Sequence, residues 1–468
     1  MSIKQLASQS LIYGAGHVVA RFINFLLLPL YTHTISVHDY GIVSLIFVLI
    51  AFANVFYLHG MDSAFLRFYG MEKDEHAKAS IFSTSWWWIC VVSTILTMIL
   101  LINAQQISMA TVGLEYKNII LLTCGILFFD ALASLSKILL RLQNKPIQFI
   151  SIEMINVVLI LIFNIWWVGI QGLGIEYIFI SNLIASTVVA FLLIIINLHD
   201  HKPKINRAYH TAMFVFALPY IPAGIASMTT ELIDRYIIKW MLDEHAVGLY
   251  AAGYKMGILM LIVIMGFKFA WQPYFLGKSD EEDSHKIFTQ VGTWFIAISL
   301  FIVLSITFFI NDIVRLSIFG ITLLGEQYWH SISIVPVVLL AYVFLGIFTI
   351  QLAGIYIRGK SKWIPILTGS AAIINIICNI IFISKFGWEG AAWATLLSYM
   401  FMVLFQYFVV IQFYPLKWEW NKLSQIIILF LTLLGFGILT NQEAPILFIM
   451  ILIFAGASMH ISTNTNNN

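Results

Sequence analysis

The feature that most constrains this chain is a succession of about fourteen apolar stretches, each close to the roughly 20 residues that a helix needs to cross a bilayer. Polar residues, glycine or proline separate one stretch from the next. A transmembrane barrel would instead show alternating apolar and polar residues, and runs such as Leu183–Leu198 do not alternate. The last two stretches are the shortest, so twelve spans are the alternative count. The predicted spans are residues 10–31, 41–60, 81–102, 118–140, 147–168, 175–197, 211–237, 247–272, 287–310, 331–356, 363–384, 389–412, 424–440 and 445–461.

Composition agrees with an all-α polytopic membrane protein. Of the 468 residues, 60% are hydrophobic and 10% are charged, whereas a soluble domain carries about 25% charged residues. The 3 cysteines lie in apolar stretches without C-x-x-C spacing, so neither a disulfide scaffold nor a metal site is expected. There is no Walker motif, so we expect no ATP hydrolysis. The sequence predicts no cofactor, no catalytic residue and no nucleic-acid partner, and we expect a protein that is not an enzyme.

Positive charge predicts the orientation of the chain in the membrane. Lys and Arg are retained in cytoplasmic loops, and most of the 25 basic residues fall on one side when the N-terminus is placed inside. We interpret the first stretch as a retained span, because it lacks a signal-peptide cleavage pattern. Both termini are therefore expected in the cytoplasm. The cytoplasmic clusters lie within residues 67–78, 137–145, 202–207, 278–286, 358–362 and 417–422.

Two parts of the chain resemble each other at an offset of about 215 residues. A second, shorter echo pairs His38–Gly41 with His245–Gly248 at an offset of about 207. We expect two homologous six-helix lobes, residues 1–207 and 208–415, around a central cavity, with two extra helices and a short polar tail in residues 416–468. An even number of helices per repeat relates the lobes by an axis along the membrane normal. The longer echo comprises Arg141–Lys145 with Asn156 and Asn164, and Arg358–Lys362 with Asn375 and Asn379.

Several short motifs occur in order along the whole chain: Leu11–Gly14, Pro29–Thr32, Asp39–Gly41, Gly60–Arg67, Asp234–Arg235, Val247–Tyr250, Asn375, Asn379 and Phe386–Gly390. Together they resemble Wzx-type oligosaccharide flippases of the polysaccharide transport family, in the multidrug/oligosaccharidyl-lipid/polysaccharide exporter superfamily with MurJ and MATE exporters. The resemblance implies alternating-access transport across the bacterial inner membrane. Its substrate would be an undecaprenyl-pyrophosphate-linked oligosaccharide, such as an O-antigen or capsule unit, moved from the cytoplasmic to the outer leaflet. Polysaccharide polymerase machinery is a candidate partner, and a monomer is expected because one chain holds both lobes.

Arg21 is the first candidate for the substrate site, because an ionisable residue in the middle of a span usually faces an interior cavity. His17 and Asn24 lie on the same helical face. A guanidinium binds phosphate oxygens in bidentate geometry and stays charged when buried. We expect Arg21, flanked by His17 and Asn24, to hold the diphosphate. A structural ion pair with an acid on a neighbouring helix is the alternative.

The eighth span adds two basic candidates, Lys255 and Lys268. They are 13 positions apart, which turns them about 140° from each other on a helix. One cavity face does not hold both unless the helix bends. Lys255 is the deeper of the two and is a candidate for the cavity wall, whereas for Lys268 snorkelling toward the cytoplasmic interface is the favoured interpretation.

Acidic residues inside spans are candidates for ion coupling or gating. Asp130 is predicted either as a coupling-ion site or as the partner of Arg21, and Glu153 as a further coupling candidate. Glu231, Asp234 and Arg235 lie near the outer end of the seventh span. They predict a salt bridge at the helix end, with a gate ion pair as the alternative. We expect Asn375 and Asn379 to form hydrogen bonds between helices rather than to contact sugar.

Three other functions compete with the flippase interpretation. A MATE-type cation or drug exporter shares the architecture but favours acids in its cavity, which the central Arg21 argues against. A MurJ-like flippase of the peptidoglycan precursor fits the same pattern. A membrane polysaccharide polymerase or ligase needs a large outer loop with catalytic groups, and the longest predicted outer loop, near Asn311–His330, has about 20 residues.

Overall fold

The computed structural model describes residue 23 and residues 25–197, 205–277, 284–318, 320–440 and 444–463. Within these residues, 13 helices are long and apolar enough to cross a membrane. Each coincides with one of the predicted spans from 41–60 onward, so these predicted helices are confirmed, including the two short C-terminal ones. Thirteen candidate spans among the described residues favour the count of about fourteen over the alternative of twelve. The first predicted span, 10–31, lies mostly outside the described residues.

The all-α fold follows from the solvent that these helices meet. Hydrocarbon offers no partner to a backbone N–H or C=O group, and a helix satisfies both within one segment. Outside the helices, the described residues contain one two-stranded antiparallel ribbon, in which β1 (Ser317–Ile318) pairs with β2 (Ile321–Thr322).

Contacts divide the chain into two compact units at Gly248 and Leu249. The N-terminal unit contains α1–α10 and the first turn of α11. The helices are α1 (Leu27–Thr34), α2 (Val37–Leu58), α3 (Met61–Met71), α4 (Glu75–Ile102), α5 (Ala104–Thr111), α6 (Lys117–Leu142), α7 (Pro146–Asn164), α8 (Glu176–Ile196), α9 (Arg207–Ala217), α10 (Tyr220–Met241) and α11 (Glu244–Gly277). A 3₁₀ turn, Leu114–Tyr116, precedes α6, and a π-helical segment, Ile165–Ile170, extends α7.

The C-terminal unit contains the remainder of α11 and the six helices that follow. They are α12 (Ser284–Arg315), α13 (Val335–Ile357), α14 (Trp363–Phe386), α15 (Glu389–Val410), α16 (Trp420–Thr440) and α17 (Ala444–Thr463). A 3₁₀ segment, Glu326–Ile334, leads into α13. The helix α15 packs against both α13 and α14, and α17 packs against α12 and α16.

The core of the N-terminal unit explains why α9 and α10 belong to it. Buried side chains such as Phe65, Trp86 and Leu135 pack together with Met213 and Ala217 of α9. The helix α9 contacts α3, and α10 contacts α2. By their contacts, residues 207–248 thus belong with the N-terminal helices. The predicted lobe boundary at 207/208 is based on the sequence repeat instead, and it stays a prediction. The central cavity also stays a prediction.

The repeat is visible in the backbone. At the turn after α6, Asn144 has φ 55°, Lys145 N–H donates to Leu140 O at 2.9 Å, and Asn144 N–H donates to Arg141 O. At the turn after α13, Gly359 has φ 62°, Lys360 N–H donates to Ile355 O at 2.9 Å, and Gly359 N–H donates to Tyr356 O. Every partner is displaced by the same 215 positions. Both turns are therefore the same helix-ending motif with a left-handed residue.

Candidate functional site

A polar network links three helices of the N-terminal unit. The Lys137 ammonium on α6 lies 2.9 Å from a Glu153 carboxylate oxygen on α7. Seven positions before Lys137, on the same face of α6, lies the half-buried Asp130 carboxyl, which interacts with the Ser186 hydroxyl on α8. The charges of Lys137 and Glu153 also act on Asp130. Of the two predicted acids, Glu153 therefore forms an ion pair with Lys137, and Asp130 lies two helical turns away on the same face of α6 as that lysine.

The depth of the network follows from the helix rise of about 1.5 Å per residue. Lys137 lies about 8 Å, and Asp130 about 18 Å, from the end of α6 at Leu142. In the predicted orientation, the Lys137–Glu153 pair thus lies near the cytoplasmic end and Asp130 near the middle of the membrane. Asp130 and Lys137 are therefore about 10 Å apart along one face of α6.

A buried ion pair lies within the last two turns of α10. Arg235 Nη1 donates to Asp234 Oδ1 at 3.0 Å and to the Glu231 backbone carbonyl at 3.2 Å. Only 1% of Asp234 and 7% of Arg235 are exposed. The Arg235 charge acts on the Tyr40 hydroxyl of α2, and Tyr236 donates to the Leu45 carbonyl at 3.1 Å. The predicted salt bridge therefore exists, and the residue next to it, Tyr236, joins α10 to α2.

The two basic candidates of α11 differ in exposure. Lys255 is half-buried, whereas Lys268 is exposed. Gly253 and Gly257 of α11 pack against Ser331, just before α13, and Val338 within it. Because Lys255 lies two residues from each glycine, it is turned about 160° away from that packed face. The exposure of Lys268 fits the snorkelling interpretation, which nevertheless stays a prediction.

Asn375 and Asn379 correct one expectation. Asn379 Nδ2 donates to both the backbone oxygen and the side-chain oxygen of Asn375, at 2.9 Å each, so these bonds lie within α14 and not between helices. Both residues are fully buried. Within the described part of the chain, Asn375 Nδ2 and Asn379 Oδ1 have no hydrogen-bond partner. A helical residue satisfies an amide most cheaply through the carbonyl one turn earlier, and sequence spacing alone does not reveal this.

Sequence reasoning missed two further polar contacts. Tyr31 donates to Asn164 Oδ1 at 2.9 Å, although they are far apart in the chain. After the end of α2, the buried His59 accepts a hydrogen bond from Trp88 Nε1 at 3.0 Å and contacts the Tyr57 carbonyl through Nδ1 at 3.1 Å. An indole is only a donor and a carbonyl only an acceptor, so His59 is neutral with its proton on Nδ1. Burial lowers the pKa of His59 accordingly.

Three predicted residues, His17, Arg21 and Asn24, lie outside the described residues. The diphosphate site, and the pairing of Arg21 with Asp130, therefore stay predictions. Among the described residues, no group of three or more His, Cys, Asp and Glu side chains could hold a metal ion.

Comparisons with known proteins give a family and a fold. A family model described as polysaccharide biosynthesis protein matches residues 32–333. A comparison with curated protein sequences found no significant match. Solved structures with a similar fold include the lipid II flippase MurJ in an inward closed conformation, with a TM-score of 0.76 and 19% identity over 96% of this chain and 98% of that one.

Two other similar structures are transporters of the MOP superfamily. One is a multidrug resistance MATE transporter in an outward-facing conformation, with a TM-score of 0.62 and 13% identity over 89% of this chain and 97% of that one. The other is a transporter from Pyrococcus furiosus, with a TM-score of 0.59 and 12% identity over 87% of this chain and 95% of that one. At these identities the likeness establishes a common all-helical transporter fold.

Proposed function

The chain belongs to the polysaccharide biosynthesis protein family, and we propose that it is a flippase for an undecaprenyl-diphosphate-linked oligosaccharide. It would move this lipid from the cytoplasmic to the outer leaflet of a bacterial inner membrane by alternating access. The observation that carries the proposal is the family match over residues 32–333, joined to the fold of MurJ, a lipid II flippase. The family description names polysaccharide biosynthesis and the MurJ description names a lipid that is flipped, and a lipid-linked oligosaccharide fits both descriptions.

The state of the acidic residues supports an anionic rather than a cationic substrate. Glu153 lies 2.9 Å from Lys137, and Asp234 lies 3.0 Å from Arg235. A carboxylate that already has a basic partner is a poor binding group for a cationic drug, because the cation would have to displace that partner. This argues against the MATE-type exporter as the alternative function.

Each candidate residue has a role in this mechanism. Arg21, flanked by His17 and Asn24, holds the diphosphate, and Lys255 adds positive charge to the cavity wall. Asp130 is the coupling-ion site, reached from the cytoplasm past Lys137 and Glu153. Asp234 and Arg235, with Glu231, belong to the gate at the outer end of α10. Lys268 snorkels toward the cytoplasmic interface and is not required for binding.

The test is a gene deletion complemented with variants, followed by extraction of lipid-linked intermediates and scoring of surface polysaccharide. We expect deletion to remove surface polymer and to accumulate lipid-linked repeat units on the inner leaflet. Arg21→Ala and Lys255→Met should reproduce the deletion at normal membrane levels. Lys268→Met, which removes an exposed lysine from the same helix as Lys255, is the matched control and should restore polymer.

Other outcomes point to the competing functions. Single repeat units on the outer leaflet after deletion would indicate a polymerase or ligase. Accumulated peptidoglycan precursor would indicate a MurJ-like function. Unchanged polymer together with increased sensitivity to cationic drugs would indicate an exporter.

A further inference from the structure

The helices α12 and α17 form an apolar groove on the surface of the C-terminal unit, the α12–α17 groove. It has a volume of about 230 Å³, and its wall is almost entirely apolar. Ile298 and Met459 in this wall are exposed. Because both helices are long and apolar enough to cross a membrane and the wall carries no charged residue, the groove faces lipid chains rather than water. Its wall also contains Trp294 and Ala297 on α12, and Ala455 and Ser458 on α17.

The groove lies near the cytoplasmic ends of the two helices in the predicted orientation. The helix α12 begins on that side at Ser284, and the antiparallel α17 ends there at Thr463. At about 1.5 Å per residue, Trp294 lies about 15 Å from the start of α12, and Met459 lies about 6 Å from the end of α17. An indole is typical of the membrane–water interface. The groove therefore runs from the cytoplasmic interface into the hydrocarbon, where an acyl chain of the inner leaflet lies.

Two polar side chains continue the groove face of α12 toward the cytoplasm. Gln290 lies one helical turn before Trp294. Lys286 lies three helical turns before Ala297 and within about 20° of it around the helix axis. Lys286 is exposed and forms no ion pair with any other described residue. The cytoplasmic end of the groove therefore carries a positive charge that no acid of the described chain neutralises by contact.

A buried hydroxyl lies at the same end of the groove on α17. Ser462 follows Ser458 by one helical turn, which places it on the groove face of α17, and it is 7% exposed. Its Oγ has no hydrogen-bond partner among the residues that the structure describes. Ser458, in contrast, donates to the Ala455 carbonyl at 3.1 Å. A buried hydroxyl without a partner is costly, so we expect Ser462 to meet an acceptor from outside the chain.

Gln290 and Ser462 lie level with each other, because each is one turn beyond a groove residue of its own helix. We propose that the α12–α17 groove binds an anionic phospholipid of the cytoplasmic leaflet: one acyl chain fills the groove, and the headgroup phosphate accepts from Gln290 and Ser462 beside Lys286. The amide and the hydroxyl are neutral donors. The ammonium supplies the charge that distinguishes an anionic headgroup from a zwitterionic one. A lipid held in this way joins α17 to α12, and the inference does not depend on which substrate the protein transports.

The direct test is native mass spectrometry of the purified protein in detergent, titrated with phosphatidylglycerol or with phosphatidylcholine of the same acyl chains. Phosphatidylglycerol should bind about fivefold more tightly, the ratio that corresponds to about 1 kcal/mol for one lysine beside an anionic lipid. Lys286→Met should abolish this preference. Lys417→Met is the matched control, because Lys417 is exposed and the adjacent Trp418 packs against Gly292, which is turned about 160° from Trp294. It should leave the preference unchanged.

Filling the groove provides a second test. Ala455→Phe places a ring where the acyl chain lies and should lower the affinity for phosphatidylglycerol by about tenfold, because the loss of two buried methylenes already costs this much. Ile453→Phe places the same ring at an exposed position of α17 outside the groove and should leave the affinity unchanged. In thermal unfolding scans, phosphatidylglycerol should stabilise the parent protein and Ile453→Phe more than Ala455→Phe.

Photocrosslinking decides where the lipid binds and which lipid it is. Phosphatidylglycerol with a diazirine in its acyl chain should label peptides that contain residues 294–298 and 455–459. Labelling confined to other peptides would overturn the proposal, as would equal binding of the two phospholipids. A polyprenyl diphosphate that is extracted from the purified protein and that phosphatidylglycerol does not displace would show that the groove holds a transport substrate instead. Because Lys286 is exposed, Lys286→Met keeps the test decisive even if Ala455→Phe does not fold.

Discussion

The Lys137–Glu153 pair allows a quantitative prediction about the polar network. At 2.9 Å and an effective dielectric constant of 20, two unit charges attract each other by about 6 kcal/mol. Desolvation opposes most of this, and the side chains keep 27% and 17% of their exposure, so water weakens the attraction further. We expect Lys137→Met or Glu153→Gln alone to lower the free energy of unfolding by about 3 kcal/mol, because each leaves a charge without its partner.

The double variant decides whether the two residues act as a pair. Removing both charges should cost about 2 kcal/mol less than the sum of the single changes. The assay is unfolding in mixed micelles of increasing SDS fraction, followed by tryptophan fluorescence. Lys145→Met is the matched control, since it removes an exposed basic residue from the turn just after α6 and should change stability little. Additive single effects would refute the pairing.

Three further predictions concern the buried contacts. Tyr31→Phe should lower the free energy of unfolding by about 1–2 kcal/mol, because it leaves the buried Asn164 Oδ1 without its hydrogen-bond donor. In the same SDS titration, a Tyr31→Phe/Asn164→Leu double variant should recover part of this loss. Asp234→Asn should lower the free energy of unfolding by about 3 kcal/mol, because Arg235 keeps its charge in a buried position, and the loss should be seen as a reduced yield of protein in the membrane. An unchanged yield would mean that the pair is hydrated. Stability should fall as the pH drops through about 6.5, because the lowered pKa of folded His59 makes the unfolded chain bind the proton more readily. His59→Gln should weaken this pH dependence in thermal unfolding scans between pH 5 and 8.

The membrane spans were predictable because the bilayer imposes one length and one composition on them. The first residues of the helices were harder to predict from the sequence. The structure begins α2 at Val37, four residues before the predicted start, since Ser36 caps the helix and its first turn is amphipathic rather than apolar. Hydropathy alone does not detect a capping residue.

The partners of the polar residues were harder to predict. Helical spacing places Asp130 and Lys137 on one face of α6 but does not say what faces them. For Lys137 a signal did exist: it lies five residues before the end of α6 and Glu153 lies seven residues after the start of α7, so an antiparallel hairpin brings the two side chains to nearly the same level. Ser186 lies on α8, which is not the next helix, and no local pattern joins it to Asp130.

Comparing equivalent positions of the two repeats distinguishes residues required by the fold from residues present in only one copy. Asn164 and Asn379 are 215 positions apart, both are fully buried, and each donates through Nδ2 to the carbonyl four residues before it. A feature that occurs in both copies at the same backbone position serves the architecture that the copies share. The two copies have little sequence similarity because the shared backbone restricts only a few residues. These are the residues that cap helices, have left-handed backbone conformations or make close contacts.

The polar network does not recur at the repeat offset, and this supports the role in ion coupling that we propose for it. At the same offset of 215, the positions of Asp130, Lys137 and Ser186 hold Leu345, Leu352 and Phe401. The corresponding helices of the C-terminal unit therefore form the same hairpin without these charges. Placing ionisable groups inside a membrane is costly. Because the fold is achieved without them in one copy, their presence in the other is better explained by a requirement of transport than by a requirement of folding.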